Sequence, residues 1–315
     1  MLLALENGAA GARPLNHVFK QTMELNREIV TTPLRPAATV VMLRDAPGGL
    51  EVFLMKRHSL SDVLGGAYVF PGGKVDAADA ELDMTAHLDQ PLQALHASLD
   101  EADIHERTAG GLYVAALREA FEESGVLFAQ GLSMQAPDAA RAAALLREGQ
   151  SFNAVLAQMA LRLQTSSIVP WVRWITPTSP SVMNKRFDTR FFVATVPAGQ
   201  TAVHDSYETT ESIWLGPRDA LGQYWAGQID LAPPQIMSLA HLSRHADVAS
   251  VMTAARNGRP PVIRPEPFEH EGGRVICYPG DVRHSVPERA LPGPTRLYYR
   301  NKRFEPVNGF DGLFE

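Results

Sequence analysis

Cysteine is almost missing: Cys277 stands alone in 315 residues. That excludes an intrachain disulfide and fits a reducing, cytoplasmic setting. Long apolar runs are missing as well, and no stretch reaches the roughly 20 residues that a membrane-spanning helix needs, so no membrane partner is expected. The opening "MLLAL" meets Glu6 at once with no basic stretch before it, which is not the pattern of a secretion signal. The closing "DGLFE" is not a peroxisomal address. Positive charge is not in excess: 29 Lys and Arg against 35 Asp and Glu leave −6. No nucleic-acid partner is expected from that balance, although a local basic pocket is compatible with it. Internal repeats and low-complexity linkers are lacking too. What is present, 45% apolar and 20% charged residues, describes an ordinary globular chain with room for one large domain or two smaller ones.

Along the chain, residues 1–34 read as an N-terminal extension, with helical apolar spacing over 15–30 ended by Pro33 and Pro36. "ATVVMLRD" (38–45) and "EVFLMKR" (51–57) predict a hairpin around "APGG", and "AYVF" (67–70) a third strand. A helix is expected over 111–124 and a strand at "GVLFA" (125–129). One or two helices are expected over 137–164, with further strands at 169–176, 186–196 and 211–216. A helical region around 233–256 leads into a tail with strand-like runs at 274–278 and 295–300. Intermixed strands and helices predict an α/β (α+β) architecture.

Two phrases carry chemistry. In "REAFEESG" (118–125), Tyr113, Val114, Leu117, Ala120 and Phe121 share one side of the predicted helix. Glu119, Glu122 and Glu123, at i, i+3 and i+4, share the opposite one. Gly125 is placed to end the helix, so the three carboxylates crowd its last turn, at the negative end of the macrodipole. Each like-charge pair there costs about 0.2–0.5 kcal/mol. A solvated acidic face is one reading; a site for a divalent cation, held by hard carboxylate oxygens, is the other. Upstream, Gly72 and Gly73 in "FPGGKVDAAD" (70–79) permit backbone N–H groups to approach an anion, or simply make a tight turn. A glycine loop and a carboxylate helix together describe metal-assisted chemistry on a phosphate.

The two phrases resemble the two halves of the Nudix box, G-x5-E-x7-R-E-U-x-E-E-x-G-U with U aliphatic. Gly73 is followed after five residues by Asp79 in place of Glu, and Arg118 to Val126 match the second half throughout. Residues 80–117 stand where the usual box has seven. "FLMKRHSLSDVLGGAYVFPGG" (53–73) is further similar to the phrase that precedes the box in CoA-cleaving members. It keeps Arg57, Gly66 and Phe70 and departs at Met55, His58 and Asp62. The split box, "PWVRWITP" and "RFDTRFFVA" resemble the branch of the peroxisomal acyl-CoA diphosphatases over roughly residues 36–245.

The resemblance implies a Nudix fold: a mixed β-sheet sandwiched between helices over 35–232, with an insertion at 80–109 and a helical segment at 137–164. Residues 233–315 would be a C-terminal extension packed on the same domain. It implies that Glu119, Glu122 and Glu123 hold Mg²⁺ or Mn²⁺ and that Arg118 orients a neighbouring carboxylate. Gly72 and Gly73 would shape the loop against the helix. The reaction implied is hydrolysis of a small-molecule diphosphate, CoA-like first, with ADP-ribose, NADH or a nucleotide sugar as the alternative and a silent nucleotide-binding regulator as the third. Moderate rather than strict selectivity is expected from Asp62.

Candidate phosphate contacts are Arg57, Lys185, Arg186 and Arg190, but Arg186, Asp188 and Arg190 share one strand face, and an internal Arg–Asp pair is an equal reading. Trp171 and Trp174 suit adenine stacking or, more ordinarily, the core; His17 and His58 read as surface or packing residues. Glu123, Glu208 and Glu211 stay open as the general base, and a homodimer stays open as the assembly.

Overall fold

The computed structural model describes residues 28–59, 61, 64–131, 136–179, 185–205 and 209–315. The predicted N-terminal helix therefore lies largely outside the described residues. At its end, residues 28–30 are not helical, and the Val30 N–H donates to the Thr178 carbonyl at 2.7 Å.

The first hairpin forms as expected, from β1 (Arg35–Ala46) and β2 (Gly49–Arg57), followed by β3 (Tyr68–Val69) and β4 (Gly72–Lys74). After α1 (Ala77–Glu81) the insertion folds into α2 (Met84–His87) and α3 (Leu92–Leu99), and α4 (Glu106–Ser124) follows. After β5 (Ala129–Gly131) come α5 (Ala139–Arg147), α6 (Phe152–Gln158) and β6 (Leu161–Leu163). The sheet resumes with β7 (Ile168–Ile175), β8 (Phe187–Thr195) and β9 (Thr209–Leu215). Helices α7 (Pro217–Trp225), α8 (Pro233–Leu242) and α9 (Val248–Asn257) precede β10 (Val262–Ile263). The tail forms β11 (Glu266–His270), β12 (Gly273–Cys277), β13 (Arg296–Arg300) and β14 (Arg303–Glu305), a sheet of its own.

Strand β1 organises the main sheet, whose order is β10-β7-β8-β1-β2-β3, with β9 paired to β2. β1 runs parallel to β8 over residues 35–43. On its other side it pairs antiparallel with β4 through Ala37–Thr39 and with β2 through Leu43–Ala46. Side chains alternate across its plane: Ala38, Val40 and Met42 enter a core with α4, the insertion, α5 and α6. Val41 and Leu43 enter a second core with α7, α8, α9 and the C-terminal sheet. The sandwich expected from the sequence is present, and the extension after residue 232 supplies much of one layer.

Two local expectations are corrected. "GVLFA" is not a strand until Ala129. Gly125 turns the chain left-handed (φ +71°), and buried Leu127 bonds the Gln200 side chain through both its N–H (2.7 Å) and its carbonyl (2.8 Å). A side-chain amide thus replaces a strand partner. Helix over 137–164 ends at Gln158, and Leu161–Leu163 pair with Ala129–Gly131 instead.

Candidate active site

Helix α4 is buried on nearly every side, because helices of the insertion cover the flank that an isolated amphipathic helix would show to water. Of the two readings of these carboxylates, a uniformly solvated face is not what forms: the three occupy three different environments. Glu123 is 5% exposed, and its Oε2 accepts the Gly72 N–H at 2.7 Å. The Glu119 carboxylate lies against Gly73, so close that a Cβ there would sit 2.5 Å from Oε1. Only Glu122, with 37% of its side chain exposed, faces outward. The pairing of β4 with β1 holds this turn against the helix end.

Arg118 is the hub. Nε and Nη2 chelate Asp79 at 2.8 and 3.0 Å, Nη1 donates to Glu119 Oε1 and Glu122 Oε2, both at 2.9 Å, and Nη2 also reaches the Lys74 carbonyl at 3.0 Å. Burial opposes the charge, yet Asp79, Glu119 and Glu122 outweigh it and hold the guanidinium above its ordinary range. Burial likewise pushes the Glu122 carboxyl up, offset in part by Arg118. Asp79 is 1% exposed and also accepts the Asp76 N–H at 2.8 Å. The shorter Asp thus reaches Arg118 from the start of α1, and the insertion leaves the chain only after that contact is made. The two phrases form one site.

Among the predicted phosphate contacts, Arg57 comes to the carboxylates: its Nη1 lies 3.9 Å from Glu123 Oε1, and its Nε donates to Ser61 Oγ at 3.3 Å. Arg190 instead joins a buried network. It bonds both oxygens of Glu101 and lies 3.0 Å from Asp188, while Arg173 bonds the same two carboxylates. That arrangement is the internal pair of the two alternatives. Arg186 donates to the Thr176 and Thr32 carbonyls at 3.3 Å. Trp171 and Trp174 are core residues, Trp171 stacked on His241 at 4.9 Å.

Glu211 pairs across the strands with Lys56, at 3.8 Å, whereas the next residue, Arg57, reaches Glu123. Alternation places Glu211 on the opposite face of the sheet, away from the glutamates of α4. Glu208, Asp62 and His17 lie outside the described residues. Sequence reasoning missed the segment at 203–205, whose Val203 and Asp205 N–H groups donate to the Ser124 and Glu123 carbonyls at 3.0 Å. It satisfies acceptors that the end of α4 leaves over, and no residue pattern announces it.

Among the described residues no group of three or more His, Cys, Asp or Glu already converges as a metal cage. The carboxylates are drawn apart to Arg118 and the Gly72 N–H. Their chemistry nevertheless fits a hard divalent ion: three oxygen-donor side chains on successive turns of one rigid helix, each able to regroup by side-chain rotation. No described helix is long and apolar enough to cross a membrane.

Comparison with known proteins agrees with this geometry. Residues 31–242 match the family model described as the NUDT19 Nudix domain. A Caenorhabditis elegans protein assigned by name as nudix hydrolase 7 is 27% identical over 273 residues, spanning 85% of this chain and 80% of that protein. The acyl-coenzyme A diphosphatase NUDT19 of Xenopus laevis is 26% identical over 231 residues, 63% of this chain and 61% of its own length. A crystal structure of a Nudix hydrolase from Alicyclobacillus acidocaldarius superposes with a TM-score of 0.61 at 28% identity. The match covers 73% of this chain and all of that one (100%).

Proposed function

The chain belongs to the Nudix hydrolases, in the branch of the NUDT19 Nudix domain, and from that premise we propose that it hydrolyses the diphosphate of CoA or an acyl-CoA. The products would be adenosine 3′,5′-bisphosphate and (acyl-)phosphopantetheine. Water adds at one phosphorus, the bridging P–O bond breaks, and the two protons of the water are shared between product phosphates and solvent. Glu119, Glu122 and Glu123 would hold Mg²⁺ or Mn²⁺, which when bound neutralises the diphosphate and assists ionisation of water.

The chain's own groups do the rest. Arg118 pairs with Glu119 and Glu122 through Nη1, which keeps both at this end of the helix, and is itself oriented by Asp79. The Gly72 N–H holds Glu123 beneath the turn, and the missing side chain at Gly73 makes room for Glu119. Arg57, with 19% of its side chain exposed, offers a guanidinium at the rim for a phosphate. The observation that carries the reading is the rejoined box: Asp79 chelating Arg118 across the insertion, with the glycine turn over the glutamates.

Incubating the protein with CoA, acetyl-CoA, dephospho-CoA, ADP-ribose and NADH in Mg²⁺ or Mn²⁺, and identifying the products, tests the proposal. Cleavage within the diphosphate is expected, leaving the 3′-phosphate on the adenosine half. Dephospho-CoA should be slower by up to about tenfold, since one charge-assisted contact is worth roughly 1.5–3 kcal/mol when fully made and less at a partly open rim. Equal or faster turnover of ADP-ribose or NADH would overturn the CoA assignment and leave a hydrolase of another diphosphate.

A further inference from the structure

A cavity of about 540 Å³ opens beside Tyr113. Tyr113 precedes Glu122 by nine residues on α4, about 13 Å of helix rise at 1.5 Å per residue. Three distant segments wall it: α3 and the residue after it, the start of β7 with the turn before, and the link from α9 to β10. The first belongs to the insertion and the last to the C-terminal extension, so the cavity exists only because these two additions meet across the edge of the sheet.

Its chemistry differs from that of the carboxylate turn. Arg256 and Arg259 line one side, and the hydroxyls of Ser98, Tyr113 and Ser166 line others. The Ser98 and Tyr113 oxygens lie 2.5 Å apart; Ser98 Oγ donates to the Leu95 carbonyl at 2.8 Å and Ser166 Oγ donates to Asp89, so the Tyr113 proton goes to Ser98 and these oxygens offer an incoming ligand acceptor lone pairs. Arg259 approaches Asp100 at 3.6 Å across the opening, and both side chains are exposed. Such a pair is held weakly and exchanges readily with an incoming anion.

Ile168, Val169, Pro170 and Pro260 give the cavity one apolar wall, but the arginines, hydroxyls and carboxylate around the rest of it argue against an acyl chain. Guanidiniums match phosphate, hydroxyl oxygens and a carboxylate accept from the hydroxyls of a sugar, and the volume falls in the range of about 300–1,000 Å³ typical of small-ligand pockets. We propose that this cavity is a second small-molecule site, separate from the hydrolytic one, for a hydroxyl-bearing phosphate monoester. Arg256 and Arg259 take the phosphate, and Ser98, Asp100, Tyr113 and Ser166 take the hydroxyls.

Titration calorimetry on the full chain in EDTA tests this, because without metal the readout is binding alone and stands whether or not the diphosphate reading holds. Glucose 6-phosphate and AMP are the probes, with glucose, adenosine and inorganic phosphate as partial ligands. One equivalent of at least one monoester is expected to bind. Arg256→Ala and Arg259→Ala should each weaken it by about tenfold or more, as loss of a charge-assisted contact does. Ala97→Trp, which fills the cavity, should abolish it, and each partial ligand should bind at least about tenfold more weakly. Should the tryptophan variant misfold, the two surface arginine variants decide, with unchanged turnover as their control. The proposal is overturned if neither monoester binds by about 10 mM, if the arginine variants bind unchanged, or if inorganic phosphate binds as tightly as the esters.

Discussion

An alanine at position 73 would place its Cβ 2.5–2.6 Å from all three atoms of the Glu119 carboxylate group, whereas an alanine at 72 would meet backbone, the Ala38 carbonyl at 2.5 Å and Thr39 Cα at 2.7 Å. Neighbouring substitutions should therefore fail in different ways. In Gly73→Ala the obstacle is the far end of a side chain, which swings aside; the cost is about 1–2 kcal/mol from crowding and a weakened Arg118 contact. In Gly72→Ala the pairing of β4 with β1 must open and the bond from Gly72 N–H to Glu123 is lost. Crowding of about 1–3 kcal/mol and a charge-assisted hydrogen bond of about 1.5–3 kcal/mol combine to about 3–5 kcal/mol. At about 2 °C per kcal/mol for a chain of this size, Tm should fall by about 6–10 °C for Gly72→Ala and about 2–4 °C for Gly73→Ala. Turnover of CoA should nevertheless fall about 100-fold in Gly73→Ala, about 2.7 kcal/mol of barrier, because Glu119 is displaced. Scanning calorimetry of the metal-free variants and product formation under saturating Mg²⁺ give the two numbers. Near-wild-type turnover in Gly73→Ala would refute the role given to Glu119, and equal Tm losses in both variants would refute the distinction between the two clashes.

Glu122→Gln and Glu123→Gln should each lose most turnover with metal saturating, and Glu123→Gln should also lower Tm by a few degrees, since a neutral amide is a weaker acceptor for the Gly72 N–H. Asp79→Ala should destabilise the protein by about 3 kcal/mol in denaturant unfolding, because a buried guanidinium loses its chelating partner; Asp79→Glu should recover part of this. His241 is pressed down to about 4 by burial, with His245 and Arg244 adding to it. Its folded value is below its unfolded one, so the stability it contributes is present above about pH 6.5 and is lost as pH falls toward 4, about 3 kcal/mol in all. His241→Phe, which keeps a ring against Trp171, should flatten that part of the pH–stability curve measured by urea unfolding.

The two phrases that carry the chemistry were legible because each is short and each residue in it has a local reason: spacing on a helix, a glycine where backbone must pass. The order of strands in the central hairpin was legible for the same reason. Burial of α4 was not, since the helices that cover it are thirty residues of polar, helix-prone sequence whose apolar positions, Leu82, Met84, Leu88, Leu95 and Leu99, are scattered among short turns. The ion network at Arg190 was half legible. Strand alternation put Arg186, Asp188 and Arg190 on one face, but Glu101, the carboxylate that binds two arginines there, arrives from a loop nearly ninety residues earlier. Long-range partners of single charged residues leave no periodic trace.

The insertion is fastened where it leaves the chain, by Asp79 to Arg118, and again toward its far end, by Glu101 to Arg173 and Arg190. A segment fastened this way is a brace and not a lid. Any fluctuation that lifts it must unpair buried charges beside the glutamates, so its amide protons should exchange with solvent together with those of α4 and β8, as one cooperative unit. Motions that admit substrate then fall to other parts of the rim. Fusing or trimming the chain anywhere between residues 80 and 109 would loosen the site itself.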